Sequence, residues 1–315
     1  MQTLTLGSTP ITVPALGIGT WAWGDRFFWS YGNDYDDGQL RDAFKAAVQA
    51  GINFFDTAEI YGFGESERLL GQFLQEIDQP VYIATKYFPL PWRFNAGFVA
   101  DALTASLKRL QLPTVDLYQV HWPFDFFMGQ PTLMDALADE VQQGRVKAVG
   151  VSNYSAEQLK RAQELLAKRD VPLAVNQVQY SLLARQIEQN GVMATARDLG
   201  ITILAYSPLA QGLLTGKYAT DTDAKPLGAR RIDPRFSPKG LAKLDPVVAA
   251  LRDIAQSNDR TPAQVALNWL VAQGNVVPIP GAKNAQQAQQ NAGALGWQLN
   301  ESDRQRLAEV TQDWA

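Results

Sequence analysis

An α/β protein closed into a (β/α)8 TIM barrel is the fold this sequence predicts, and three observations predict it. Short runs rich in Val, Ile, Phe and Tyr alternate with amphipathic stretches, the rhythm of strand and helix units around a parallel sheet. Eight such runs can be placed, at 15–21, 52–58, 81–87, 115–122, 146–153, 173–180, 201–208 and 276–280. Most are apolar nearly throughout, as strands covered on both faces require. Eight units in 315 residues fit one closed barrel better than two open sheets, so 1–315 is expected to be a single domain.

Residues 4–13, with Gly7 and Ser8 between β-prone dipeptides, read as an N-terminal β-hairpin able to plug the bottom of the barrel. After strand one, Asp36 or Asp37 can cap the first helix, and Gly51 ends it. Leu70, Phe73, Leu74 and Ile77 recur at i, i+3, i+4 and i+7, and Val99, Leu103, Leu107 and Leu110 form a second such stripe, so helices follow strands two and three. Gly144 stops the fourth helix, Ser155 caps the fifth, and Gly200 and Gly274 stand where later helices must end. Strand seven leads into a long loop, 211–243, and 299–315 reads as an extra C-terminal helix. Between 217 and 243 lie seven basic residues and three acidic ones, a local +4 that suits phosphate as well as it suits a solvated loop.

Composition narrows the chemistry. There is no cysteine, which removes thiolate nucleophiles, disulfides and Cys-ligated metals. His121 is the one histidine, so no multi-imidazole metal site can be assembled and no metal is expected. A net charge of −4 without a Lys/Arg-rich run argues against nucleic acid or a membrane surface as partner. No apolar stretch has the length of a membrane helix, and the N-terminus lacks a signal-peptide pattern, so a cytoplasmic protein is expected.

Three motifs mislead. Gly17-Ile18-Gly19-Thr20-Trp21-Ala22 satisfies G-x-G-x-x-A after a strand, but the Gly-broken, aromatic segment behind it cannot open the helix that a dinucleotide fold needs. The stretch from Gly212 to Lys217 is one residue short of a Walker A loop and lacks the Ser/Thr after its lysine. Asn153-Tyr154-Ser155 fits a glycosylation sequon without a secretory signal to give it meaning.

In a barrel of this kind the chemistry sits at the C-terminal strand ends. Here those ends carry Asp56, with Tyr61 in the following loop, then Lys86, His121, Ser152 with Asn153, Asn176 with Gln177, and Tyr206 with Ser207. Taken singly each has a bland reading as cap, filler or core polar group. Strands two, three and four are neighbours, however, so carboxylate, phenol, ammonium and imidazole converge on one rim. An ammonium beside a phenol stabilises the phenolate and lowers its pKa. Lys86 is expected to do this to Tyr61, with Asp56 holding Lys86 protonated and a neutral His121 orienting a substrate oxygen. Such a group is a general acid for an oxygen gaining negative charge, as in reduction of a carbonyl.

Asp56-Thr57-Ala58-Glu59-Ile60-Tyr61-Gly62, Lys86 at a strand end and His121-Trp122-Pro123 resemble the catalytic tetrad of the aldo-keto reductase superfamily, in matching order. The likeness extends through 144–153, 206–217 and 279–291, almost the whole chain. It implies Tyr61 as general acid, Asp56 and Lys86 as its partners, and His121 as orienter of the carbonyl. It also implies a nicotinamide dinucleotide held without a Rossmann domain. Ser152, Asn153 and Gln177 would bind the carboxamide, Tyr206 would stack on the ring, and Ser207, Leu209, Gly212 and Lys217 would follow the pyrophosphate. Gly281, Lys283, Gln287, Gln290 and Asn291 would surround the adenosine end, with the basic loop folded over the phosphates. Relatives often carry Glu where Gln290 stands, and a Gln oxygen can accept the same hydrogen bond. Lys283, with no acidic neighbour in sequence, favours NADPH, with NADH possible.

Trp21, Trp23, Phe27, Phe28, Trp29, Tyr87, Trp122 and Phe124 cluster beyond strands one, three and four, which suggests an aromatic-walled pocket with few charge anchors. Trp21, Trp29, Tyr87 and Trp122 are assigned to it, and an aromatic or medium aliphatic aldehyde or ketone is the expected small-molecule partner of a monomeric reductase. The rival reading is a nicotinamide-binding redox sensor or regulatory subunit with little turnover; a phosphate-binding lyase or isomerase on the same barrel is a third.

Overall fold

Inward and outward residues alternate along each barrel strand, and that alternation explains both the core and the site. The computed structural model describes residues 2–124, 127–226 and 228–314. It begins with the antiparallel pair β1 (Thr3–Thr5) and β2 (Thr12–Pro14). The barrel strands are β3 (Ile18–Gly19), β4 (Phe54–Asp56), β5 (Tyr82–Tyr87), β6 (Val115–Val120), β7 (Val146–Ser152), β8 (Leu173–Gln179), β9 (Thr202–Tyr206) and β10 (Val276–Pro278). Each lies parallel to the next in chain order. Two backbone bonds close the seam, Gly17 N–H to the Pro278 carbonyl and Gly19 N–H to that of Pro280, both 3.0 Å, with Gly19 bridged to Gly281.

Around the barrel run α1 (Asp37–Gln49), α2 (Glu65–Leu74), α3 (Gly97–Leu110), α4 (Gln130–Gln142), α5 (Ala156–Ala167), α6 (Val192–Asp198), α7 (Pro238–Ser257), α8 (Pro262–Val271), α9 (Ala285–Ala292) and α10 (Glu301–Val310). Asp36, rather than Asp37, caps α1 in a reciprocal box with Gln39, and Ser155 and Gln158 do the same for α5. Gly51, Gly144, Gly200 and Gly274 all take positive φ at the predicted helix ends, where a side chain would be strained.

The hairpin plugs the barrel as expected: Leu6, Ile11 and Val13 pack against Phe54, Ala84, Leu117, Ala148, Val175 and Leu204. Its turn is wider than the Gly7-Ser8 reading implied, since Thr5 pairs with Thr12 and Leu6 N–H reaches the Ile11 carbonyl. Strand one pairs over only two residues of the predicted 15–21, because beyond Gly19 the chain turns away, with Thr20 N–H on the Asp56 carbonyl. The loop after β9 ends sooner than 243: Ser237 caps α7, and Pro238 opens it. The C-terminal helix is also shorter than 299–315, with a 3-10 turn (Gln312–Trp314) behind it, and Ala315 lies outside the described residues. Among the described residues no helix is long and apolar enough to cross a membrane, and no cluster of three metal-type ligands occurs.

Candidate active site

Period-two alternation carries each inward-facing row from apolar at the bottom to polar at the top. On β4 Phe54 is followed by Asp56, on β5 Ala84 by Lys86, on β6 Leu117 by Gln119 and then His121, on β7 Ala148 by Ser152, and on β8 Val175 by Gln177. The apolar members touch the hairpin plug. The polar members meet one another.

Asp56 and Lys86 are both buried, and Lys86 Nζ donates to Asp56 Oδ2 at 2.5 Å, to the Thr57 carbonyl at 2.8 Å and to Tyr61 Oη at 3.3 Å. The other carboxylate oxygen of Asp56 accepts from Gln119 Nε2 at 3.0 Å and Gln177 Nε2 at 2.8 Å. The carboxylate is thus saturated by three donors, which is what allows a charge to persist without water. Burial lowers the pKa of Lys86, but the charge of Asp56, the Tyr61 phenol and its hydrogen bonds to both outweigh that and raise it above the ordinary lysine value.

Tyr61 departs from expectation in one respect. Burial raises its pKa above the usual phenol value and outweighs the opposing pull of Lys86, while Asp56 adds to the rise. Lys86 therefore acts in the predicted direction but does not set the resting pKa, and the phenol keeps its proton at neutral pH. His121 stands edge-on to Tyr61, ring centroids 5.6 Å apart, and edge-on to Phe88 at 5.5 Å. Burial, and then the charge of Lys86, depress its pKa to about 3, so it is neutral as expected. Its Nδ1 is buried without a hydrogen-bond partner among the described residues.

The amides and hydroxyls at the ends of β7, β8 and β9 form a linked set. Ser152 Oγ donates to the Gln177 carbonyl at 2.9 Å, Asn153 Nδ2 reaches the His121 carbonyl at 3.3 Å, and Tyr206 Oη donates to Asn153 Oδ1 at 3.1 Å. Asn153 and Ser207 both have positive φ, as do Ala210 and Gln211 farther along the loop. Left-handed non-glycine residues concentrate where a site over-determines the backbone.

Asp56, Tyr61 and His121 open onto a cavity of about 1090 Å³, with Lys86 sealed behind them. Every residue predicted to bind cofactor lines that cavity: Ser152, Asn153, Gln177 and Tyr206 near the tetrad, then Ser207, Leu209, Gly212 and Lys217, then Gly281, Lys283, Gln287, Gln290 and Asn291. Lys283 has acidic company in space that sequence did not reveal. Burial and the charges of Arg230 and Lys217 depress its pKa to about 8, against the opposing effect of Asp34 and Asp25.

Trp21, Trp29 and Trp122 line the same cavity, with Phe28 and Ile60. Tyr87 does not: it is 1% exposed, on the opposite face of β5 from Lys86, under the Arg93 guanidinium at 5.1 Å. Strand alternation dictates this, since neighbours in a strand cannot both face inward. Trp23 is likewise core, its Nε1 bonded to the Ala282 carbonyl at 2.9 Å. Sequence reasoning missed Gln119, which its spacing two residues before His121 could have revealed, and Arg230, noted as one charge among seven but lining the cavity.

A phenol against a buried ammonium and carboxylate, opening on a long groove in a barrel, is apparatus for moving a proton to oxygen and places the chain among the barrel oxidoreductases. The family model described as "Aldo/keto reductase family" matches residues 15–312. Pyridoxal reductase, chloroplastic, of Arabidopsis thaliana is 41% identical over 310 residues, covering 95% of this chain and 83% of that protein. Among solved structures, the glycerol dehydrogenase of Gluconobacter oxydans is similar with a TM-score of 0.85 and 28% identity, over 98% of this chain and 94% of that one. An aldo-keto reductase of Klebsiella pneumoniae in complex with NADPH is similar with a TM-score of 0.77 and 26% identity, over 98% and 95% of the two chains. The chain belongs to the aldo/keto reductase family and is an NAD(P)H-dependent oxidoreductase.

Proposed function

We propose that the chain, acting as a single domain, reduces aldehydes or ketones to alcohols with NADPH, and that Tyr61 gives the proton. The observation that carries this reading is the 3.3 Å approach of Lys86 Nζ to Tyr61 Oη, with Lys86 itself locked to Asp56 at 2.5 Å. The donor set fits a nicotinamide dinucleotide: amides and hydroxyls at the tetrad end, cations Lys217, Arg230 and Lys283 toward the far end, and an unpartnered His121 Nδ1 beside the phenol. Bound there, the reduced nicotinamide would supply hydride to the carbonyl carbon.

The protein's own residues handle the oxygen. His121, neutral at every physiological pH, has a ring nitrogen free to hold a carbonyl oxygen without competing to protonate it. Tyr61 keeps its proton until charge develops on that oxygen, then transfers it. The Lys86 ammonium stabilises the phenolate left behind, and Asp56 keeps Lys86 charged. Gln119 and Gln177 position Asp56. Ser152, Asn153 and Gln177 would hold the carboxamide and Tyr206 the ring face, while Lys283 supports the NADPH preference.

Trp21, Trp29, Trp122, Phe28 and Ile60 bring aromatic and aliphatic surface to the groove, which supports neutral aromatic or medium aliphatic carbonyls as substrates. Pyridoxal, an aromatic aldehyde in the printed name of one relative, belongs in the test panel. A monomeric, cytoplasmic enzyme is part of the same proposal. The test is loss of the near-ultraviolet absorbance of NADPH or NADH when protein meets aromatic, aliphatic and dicarbonyl compounds. Carbonyl-dependent loss, faster with NADPH, supports the proposal; cofactor binding without turnover overturns it in favour of a sensor.

A further inference from the structure

The pairing between β4 and β5 runs on past the end of β4 toward the site. Thr57 N–H meets the Ala84 carbonyl at 2.8 Å, but the next rung, from Glu59 N–H to the Lys86 carbonyl, is stretched to 3.5 Å. One step further, Phe88 N–H donates to Glu59 Oε1 at 2.6 Å, so a side-chain carboxylate carries the pairing on where the backbone rung has opened. Arg93 grips that carboxylate on both oxygens. Its Nη1 donates to Oε1 and its Nη2 to Oε2, the latter at 2.9 Å, and Nη1 also reaches the Phe88 carbonyl at 2.9 Å. The Glu59 side chain is 8% exposed and that of Arg93 16%. A guanidinium held bidentate on a carboxylate fixes orientation as well as distance.

The residues joined this way lie next to the reacting groups. Phe88 follows Lys86 by two positions, and Tyr61 follows Glu59 by two, with its N–H on the Ala58 carbonyl at 3.1 Å. The 3.3 Å approach of Lys86 Nζ to Tyr61 Oη therefore joins two separate segments, and Glu59 is where those segments are tied. Beyond Tyr61 the turn is strained. Phe63 has a φ of 57°, in the left-handed region that a side chain resists, and its exposed ring gains no packing in return. Such a turn relaxes when its other end is released. The Phe88 ring, set by the same pair, stands edge-on to His121. One ion pair thus lies at the root of the phenol, the ammonium and the imidazole.

We infer that Glu59, gripped by Arg93, is a positioning residue for the proton transfer: it pins the turn bearing Tyr61 to the end of β5 and so sets the gap between the phenol and the Lys86 ammonium. This rests on the reading of Tyr61 as general acid. The gap matters because the ammonium must already be in place when negative charge develops on the phenol oxygen, and a misplacement of ~1 Å can cost about 10²-fold in rate. Tyr61 and His121 line the groove, whereas Glu59 and Arg93 do not, so loss of Glu59 acts on the chemical step and spares binding. The same strand holds a structural counterpart. Asp116 accepts from Ile83 N–H and from Lys147 Nζ, both at 2.8 Å, which is a carboxylate of the same kind on a β5 N–H near the opposite end of the strand.

Steady-state kinetics with NADPH and the most active carbonyl of the panel test this in Glu59→Ala, Glu59→Gln, Asp116→Ala and Tyr61→Phe, beside NADPH affinity by tryptophan quenching and thermal midpoints by circular dichroism. Glu59→Ala removes the tie; Glu59→Gln keeps one oxygen for Phe88 N–H and turns an NH2 toward Arg93. The expected result is a kcat lower by about tenfold or more in Glu59→Ala and about threefold or more in Glu59→Gln, with carbonyl KM and NADPH affinity within about twofold of wild type. Asp116→Ala should lower the midpoint and keep the wild-type kcat. Should Glu59→Ala not fold, Glu59→Gln carries the test by the same criterion. The proposal is overturned if folded Glu59 variants keep the wild-type kcat, if Asp116→Ala loses as much kcat as they do, or if their loss lies in KM or NADPH affinity. Tyr61→Phe separates this role from the reading beneath it. Turnover lost there but kept in the Glu59 variants overturns the positioning role alone; turnover kept in Tyr61→Phe overturns the general acid, and this proposal with it.

Discussion

Replacing Asp56 with asparagine removes one negative charge from a site where three donors converge on a carboxylate. Lys86 Nζ, Gln119 Nε2 and Gln177 Nε2 all point hydrogens at it. An asparagine offers one oxygen and one NH2, so on whichever side the NH2 falls a donor faces a donor. Losing one partner of a buried ion pair costs about 3–5 kcal/mol. Lys86 retains acceptors at the Thr57 carbonyl and Tyr61 Oη, so the lower end, ~3 kcal/mol, is expected. With an unfolding entropy of about 2.1 cal/mol/K per residue, that lowers the midpoint of this chain by about 5 °C.

The pH dependence separates this account from mere loss of packing. In the wild type the pKa of Lys86 is raised above its unfolded value, so its contribution to stability is complete below the unfolded pKa and is lost as pH rises through the folded one. Without Asp56, burial, the largest influence on Lys86, is opposed only by Tyr61, and a depressed pKa is the expected result. A lysine with a depressed folded pKa binds fewer protons folded than unfolded, so the variant gains stability as pH rises toward the unfolded lysine value. Thermal scans of wild type and Asp56→Asn between about pH 7 and pH 10 should therefore show a gap that narrows with pH. Equal midpoints at neutral pH, or a gap that widens, would refute the reasoning.

Further predictions follow from other groups. Because His121 is neutral down to about pH 3, kcat/KM for carbonyl reduction should show no inflection near the ordinary histidine pKa; a step there would contradict the neutral assignment. Lys283, depressed to about 8 by burial and by Arg230 and Lys217 against Asp34 and Asp25, is charged below that pH. An anion it binds favours the protonated form, so NADPH affinity by calorimetry should hold steady below neutrality and fall as pH rises through about 8; a flat profile removes Lys283 from the phosphate contact. In Gly19→Ala the new Cβ would lie 2.8 Å from the Ile279 carbonyl at the closing seam, and the resulting displacement should cost about 1–3 kcal/mol in thermal or urea unfolding. Wild-type stability would show that the seam yields.

The barrel was legible because its rules act within short stretches. Apolar runs, capping boxes at Asp36 and Ser155 and glycines at helix ends each speak through a few neighbouring residues. The tetrad was legible for a related reason: strand order in a barrel is chain order, so residues at successive strand ends must be neighbours. What sequence did not show depends on direction or on distance along the chain. Tyr87 was assigned to the pocket by its place beside Lys86, yet alternation turns it into the core. The resting pKa of Tyr61 depends on how much water the fold removes, which no motif encodes. Asp25, Asp34 and Arg230 reach Lys283 from segments remote in sequence, so the charge environment of Lys283 appeared only when the loops were folded together.

The central claim is that Tyr61 protonates the substrate oxygen, and Tyr61→Phe tests it most directly, since it deletes one hydroxyl and leaves the ring against His121. Steady-state NADPH oxidation with the best carbonyl of the panel would be measured beside NADPH binding by tryptophan quenching. The account predicts turnover reduced by about 10²-fold or more with cofactor affinity unchanged, the scale of general acid catalysis. Turnover that survives the loss of the hydroxyl would contradict it.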